Sequence, residues 1–195
     1  MILIAVFTLL YWTVARLDPF NAFLHVLSSS ASVGLNIIDP SKIDEMSKMI
    51  LMTVMLIGAS SFSIGGGIRV YRLYILGKTL TKLPHIFLVG EKMRIRVNDR
   101  DLELSEITVH LLIIFLFMIL SFLASLILCS FGYSFTDALF ESISAISTTG
   151  NTLINLTQTT SSLHKLLLIA LMLLGRIEII PVFVAFSNAA EPEQT

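Results

Sequence analysis

Ser32, Val33, Gly34, Leu35 and Thr148, Thr149, Gly150, Asn151 lie 116 positions apart, each group a hydroxyl residue two places ahead of a glycine. The chemistry open to such a pair of turns is coordination of a dehydrated monovalent cation. That task needs several close oxygens carrying no full charge, since a carboxylate cage would hold the ion too tightly to release it; backbone carbonyls suit it. Aiming successive carbonyls to one side needs a residue that tolerates left-handed dihedrals, which glycine supplies. Ser32 and Thr148 can add hydroxyl oxygens at the inner end. A lone glycine here could simply cap a helix, but two in register argue for more.

The register extends beyond the turns. Placing Phe20 to Asn36 on Thr136 to Thr152 pairs Ala22 with Ala138, Ser28 with Ser144 and Gly34 with Gly150, and sets Asn21, Phe23, Leu27 and Ser32 against Asp137, Leu139, Ile143 and Thr148. Each copy begins as a helix should. Asp18 can cap the first turn with Pro19 at the first helical position, and Ser134 or Thr136 with Asp137 can do the same in the second copy. About thirteen residues then precede the glycine, enough to reach halfway into a bilayer. The chain must return as irregular backbone, tolerated at that depth only where it is buried in protein or lines a water-filled path. The two helices also direct their carboxyl-terminal partial negative charge at the glycines, which favours a cation.

The elements holding these turns are set by composition. Of 195 residues, 55% are hydrophobic and 14% charged, with a mean hydropathy of +0.85. Lipid is therefore the solvent for most of the chain. The net charge of −1 gives no general attraction to nucleic acid. Eight of the thirteen basic residues fall between Arg69 and Arg100, so the positive-inside rule makes that loop cytoplasmic. Cys129 is alone and cannot form an internal disulfide. Met1 to Val14 lacks the basic start and small-residue cleavage site of a signal sequence and reads as a retained span.

Hydrophobic spans cover about 1–16, 46–64, 104–131 and 163–186, with the two inserts between the first and second and between the third and fourth. The organisation expected is all-α and polytopic. A pore repeat occupies 1–76 (outer helix 1–16, pore helix and filter 18–36, broken inner helix 46–76), and a basic cytoplasmic connection occupies 77–103. A second pore repeat occupies 104–188 (outer helix 104–131, pore helix and filter 134–152, inner helix 163–186), followed by a polar tail, 189–195. Each unit has two crossings, so the repeats run parallel, both inserts face outside, and inverted-repeat transporters are disfavoured.

Within the second span, Gly58, Ala59, Ser60, Ser61, Phe62, Ser63, Ile64, Gly65, Gly66 and Gly67 make poor helix, because glycine and serine weaken propensity and compete for backbone hydrogen bonds. The freed backbone groups can face an aqueous cavity; the plainer alternative is a helix end with a flexible linker. Arg176 and Glu178 stand inside the fourth span, where a charge facing lipid costs at least about 2.5 kcal/mol, so they must face protein or water. Two apart, they do not share a helix face. Pro181 kinks the span beyond them. His25, His85, His110 and His164 show no ligand spacing. His25 occupies the place of Glu141 in the other copy, and packing suits it better than metal binding. Asp44 and Glu45 form an acidic pair on the outer loop.

The chain resembles the carboxyl-terminal half, repeats three and four, of the Trk/Ktr/HKT superfamily of potassium transporters, most nearly a prokaryotic Trk membrane subunit. Ser32 to Asn36, Thr148 to Asn151, the Gly58 to Arg69 stretch and Gly175 with Arg176 carry the resemblance. It implies four repeats of outer, pore and inner helix around one pore, with potassium as the transported ion and no cofactor. It further implies that Gly58, Ser60, Ser61, Ser63, Gly65, Gly66 and Gly67 form an intramembrane gating loop under the filter, with Arg176 in the cavity beside it. A glycine at every filter position accompanies potassium selectivity in that family, and both glycines here fit. A cytoplasmic nucleotide-binding regulatory subunit is the partner it implies; this chain has no Walker loop or dinucleotide fingerprint of its own.

Two repeats cannot close a fourfold pore, so the missing half must come from an upstream segment, a second polypeptide or a second copy, giving a homodimer. The alternatives are a secondary transporter whose broken span binds substrate, and a non-conducting membrane scaffold. No nucleophile and base pair, metal cluster or cofactor loop points to an enzyme.

Overall fold

The computed structural model describes residues 2–35, 43–58, 65–89, 95–97, 100–102, 104–153 and 161–177. Seven helices run through them: α1 Ile2–Ala15, α2 Pro19–Ser30, α3 Glu45–Ile57, α4 Val70–Val89, α5 Leu104–Ser130, α6 Phe135–Ile146 and α7 Ser162–Ile177. Between α4 and α5, β1 Ile95–Val97 pairs antiparallel with β2 Arg100–Leu102. The chain is mostly helical as expected, with this hairpin its departure from all-α among the described residues. Across residue 77 the chain is continuous helix: α4, Val70–Val89, contains both Gly77 and Pro84, and a single interior glycine costs a helix only about 1 kcal/mol.

Among the described residues α5, with 27 residues, is the helix long and apolar enough to cross a membrane; at about 1.5 Å per residue it spans some 40 Å. Leu112, Phe115, Phe122, Leu123, Leu126 and Ile127 lie exposed along it, as lipid-facing side chains would. α1 and α3 are shorter, at 14 and 13 residues. The expected second span, 46–64, stops as helix at Ile57 because Gly58 takes a positive φ of 66°. The chain then returns to cap α3: the amides of Ile68 and Arg69 donate to the carbonyls of Leu56 and Ile57 at 2.9 and 3.1 Å. Carbonyls left over at the helix end are thereby satisfied. α7 is described to Ile177, so Glu178, Pro181 and the tail lie outside the described residues.

α2 and α6 correspond residue for residue at the 116 offset, each 12 residues long. Their starts differ. Ser134 accepts the Asp137 amide at 3.2 Å and donates to Asp137 Oδ2 at 2.8 Å, a reciprocal cap, whereas Asp18 makes no side-chain cap bond and α2 relies on Pro19.

A small apolar cluster sets Ile75 of α4 against Ile107 of α5, and two larger ones hold the helices. One joins Phe117, Ala124 and Leu128 of α5 to Ala138, Ala145 and Ile146 of α6 and Leu168 and Leu171 of α7. The other joins Tyr11 of α1, Ala22 and Val26 of α2, and Leu51, Met52, Val54 and Met55 of α3 to Phe140 and Ile143 of α6. In lipid the drive to associate is close packing rather than escape from water, and small residues permit it. Gly175 shows this directly: a Cβ there would collide with the Ile146 carbonyl, so α7 lies backbone to backbone on the end of α6.

Candidate ion pathway

Both glycine turns adopt one backbone conformation. Ser32 and Thr148 have φ of 54° and 53°, and Gly34 and Gly150 have 72° and 85°. The left-handed serine and threonine are unusual for residues with a Cβ. Identical bonds hold them: the amides of Val33 and Thr149 each donate at 3.0 Å to the carbonyls of Ser28 and Ser144, and those of Ala31 and Ser147 each donate at 2.9 Å to Leu27 and Ile143. Each turn is therefore anchored on the last turn of its own short helix. The Leu35 amide adds a bond to Ser28 Oγ at 2.7 Å.

The two turns also meet. A Cβ on Gly34 would collide with the Thr149 carbonyl and stand 3.0 Å from the Gly150 carbonyl carbon. Ser32 Oγ donates to the Ser147 carbonyl at 3.4 Å. Thr149 is buried, its hydroxyl 2.8 Å from Ser147 Oγ, while Val33 and Leu35 are exposed. Thr148 Oγ1 is buried with no hydrogen-bond partner among the described residues. Asn151 is buried, and its amide nitrogen donates to Ser29 Oγ at 2.9 Å.

Of the expected loop, Gly58, Gly65, Gly66 and Gly67 are described; Ser60, Ser61 and Ser63 lie outside the described residues. Gly66 lies against the second turn, where a Cβ would collide with the Ser147 carbonyl and come within 2.6 Å of Thr148 Oγ1. Gly58 and Gly67 pack on each other, and a Cβ on Gly67 would be 2.8 Å from the Gly58 Cα. Gly65, Gly66 and Gly67 line a cavity of about 150 Å³ together with Arg176, Gly175, Arg69 and Arg72. Arg176 thus lines one cavity with Gly65, Gly66 and Gly67, and two further arginines join it.

Other side chains escaped the sequence reading. The Glu141 carboxylate accepts from Thr152 Oγ1 at 3.0 and 3.2 Å and from the Leu153 amide at 3.2 Å, gripping the chain just beyond the second turn. At the matching place His25 instead meets the Tyr11 hydroxyl at 2.9 Å, joining α2 to α1. Lys48, buried in α3, reaches Asp137 at 2.8 Å and the exposed Glu45 at 3.2 Å, forming a small ion-pair group. A lysine within an apolar helix was the available signal, since a charge there needs a partner. His164 packs against Phe131 and Tyr133. No group of three metal-binding side chains occurs among the described residues.

A family model described as cation transport protein, TrkH, matches residues 16–194. An uncharacterized cation transporter of Methanocaldococcus jannaschii is 29% identical over 89% of this chain and 37% of its own length. Ktr system potassium uptake protein D of Bacillus subtilis is 35% identical over 81% of this chain and 34% of its own. Ktr system potassium uptake protein B of Vibrio alginolyticus is 30% identical over the whole chain and 43% of its own. The chain thus spans well under half the length of these curated relatives. The crystal structure of the potassium transporter TrkH from Vibrio parahaemolyticus superposes with a TM-score of 0.77, covering 94% of this chain and 41% of that one at 20% identity, so the fold is shared.

Proposed function

Since the chain belongs to the TrkH family of cation transport proteins, we propose that it forms two of the four filter strands of a potassium uptake pore, as two parallel repeats of outer helix, re-entrant pore helix with filter, and inner helix. Ser32, Val33, Gly34 and Leu35 with Thr148, Thr149, Gly150 and Asn151 form the ion-binding strands. The observation that carries this is the shared left-handed geometry of Ser32 and Thr148 and of Gly34 and Gly150, on two strands in contact. Strained dihedrals repeated in two copies are hard to explain as packing accidents, and they turn successive carbonyls toward one side. The buried, unbonded Thr148 hydroxyl fits an ion or water ligand at the inner end.

The gate is the loop Gly58 to Gly67, acting with Arg176. Its support is Gly66 against Ser147 and Thr148, and the arginine-lined cavity beside it. With the basic stretch 69–100 inside, the protein crosses the cell membrane several times and its filters face outward. That stretch is also the surface for a cytoplasmic nucleotide-binding regulatory subunit.

The packing of the two short helices supports a further half. α6 is enclosed by α3, α5 and α7, whereas its counterpart α2 packs on α1 and α3. Leu139 and Ile143 of α6 join the cluster containing α3, but their counterparts Phe23 and Leu27 line an apolar groove of about 620 Å³ with Ile2, Leu9 and Trp12 of α1. A helix equivalent to α3, from a further pair of repeats or a second copy of this chain, fits that groove.

Rubidium uptake into potassium-loaded proteoliposomes containing this chain, with Gly150→Ser alongside, tests the proposal. Uptake exceeding that of sodium and lost in the mutant supports the filter. Uptake indifferent to the mutation counts against it, and a variant altered in stability alone points to a scaffold.

A further inference from the structure

We propose that Asn151 is a positioning residue: by clamping the second filter strand to Ser29 of the first pore helix, it sets the spacing between adjacent strands and so the pore's discrimination between cations. The inference rests on the filter reading above and concerns what holds the filter's width rather than what lines it.

The contact joins elements 122 residues apart in sequence and both partners are almost wholly enclosed, with Asn151 at 1% and Ser29 at 0% exposure. It ties the second copy's strand to the first copy's short helix, alongside the longer, part-buried bond from Ser32 Oγ to the Ser147 carbonyl at 3.4 Å. Ser29 lies in the last turn of α2, whose carbonyl at Ser28 anchors Val33. Asn151 immediately follows Gly150, against which Gly34 packs. Force on the clamp therefore passes through one rigid turn on each side to the two glycines.

The repeat itself singles the clamp out. At the matching places the other copy has Leu35 and Ala145, neither able to make this bond, and Leu35 is exposed. An asparagine here is also a poor choice for stability alone: its Oδ1 is buried without a partner among the described residues, and burying an unmet acceptor costs more than one neutral hydrogen bond returns. A leucine, as in the first copy, would avoid that cost. Discrimination between cations depends on how many oxygens reach a dehydrated ion together and at what distance, so a bond fixing strand spacing acts on that quantity directly.

The test is the ratio of rubidium to sodium uptake by the assembled pore in proteoliposomes, with Ser29→Ala, Ser29→Thr, Asn151→Leu and the double variant Ser29→Ala with Asn151→Leu. Ser29→Ala removes a single oxygen and leaves helix propensity intact, so misfolding does not obscure the result. The expected outcome is a severalfold fall in the ratio for Ser29→Ala and Asn151→Leu, no further fall in the double variant because one bond is lost in all three, and a ratio restored by Ser29→Thr. Gly150→Ser separates the two readings. If it collapses the ratio while Ser29→Ala and Asn151→Leu leave it unchanged, whatever their total uptake, the clamp is overturned and the filter stands. If Gly150→Ser also leaves the ratio unchanged, the filter reading falls and the clamp with it.

Discussion

Gly66 lies so close to Ser147 that a Cβ would strike the Ser147 carbonyl, with Thr148 Oγ1 only 2.6 Å away. Contact between the glycine-rich loop and the second glycine turn is what the proposed gate requires. Gly66→Ala must push the loop off that turn, a bias of about 1–3 kcal/mol. Basal rubidium uptake by the assembled pore should rise on the order of tenfold; unchanged or reduced uptake would remove the loop from the gating role.

Gly34 and Gly150 share a left-handed φ but differ in surroundings. A Cβ on Gly34 meets the Thr149 carbonyl, while among the described residues nothing lies within 4 Å of one on Gly150. In this chain alone, Gly34→Ala should lower thermal stability in detergent by about 1–3 kcal/mol, and Gly150→Ala by about 1 kcal/mol, from φ strain only. If the four-strand pore closes as proposed, Gly150 gains the neighbour that Gly34 already has, and the two variants should become equally damaging. Equal effects in both settings would argue against an open edge at Gly150.

Lys48 and Asp137 join α3 to α6. Their side chains are 9% and 32% exposed, so water screens the pair in part. Lys48→Met leaves Asp137 with the Ser134 hydroxyl as its side-chain partner among the described residues and should destabilise by about 1–3 kcal/mol. Adding Asp137→Asn should cost less than the sum of the two single changes, with a coupling of about 0.5–3 kcal/mol. Strict additivity in thermal denaturation would show that the pair carries no energy.

Glu141 grips Thr152 and Leu153 just past the second glycine turn. Glu141→Leu removes three accepting contacts and should cost about 2–3 kcal/mol, with faster hydrogen exchange at the Leu153 amide. Exchange unaltered there would mean that the chain is held by other contacts.

Gly175→Ala brings a methyl onto the Ile146 carbonyl. α7 must then move off α6, at about 1–3 kcal/mol. A melting temperature within error of the parent would contradict the backbone-to-backbone packing.

Much of the fold could be read along the chain because its signals are local. The 116-residue offset places α2 and α6 to the residue, since helix starts depend on nearby caps such as Pro19 and Ser134. The glycines mark left-handed turns for the same reason. The break of α3 at Gly58 was legible as the start of a run rich in glycine and serine, but its cap was not: only the structure shows the amides of Ile68 and Arg69 returning to the end of the helix.

What the sequence determined by itself was the solvent, the repeat and the residue types able to meet a bare cation, because composition, period and glycine conformation act within one stretch of chain. The tertiary structure alone decided who touches whom across more than a hundred residues: Gly34 on Thr149, Asn151 on Ser29, Ser32 on Ser147. It also brought Arg69 and Arg72 to the cavity of Arg176 and gave Lys48 its partner in Asp137. Those contacts follow from how small residues let helices close on one another in a lipid solvent, and no local pattern carries that information.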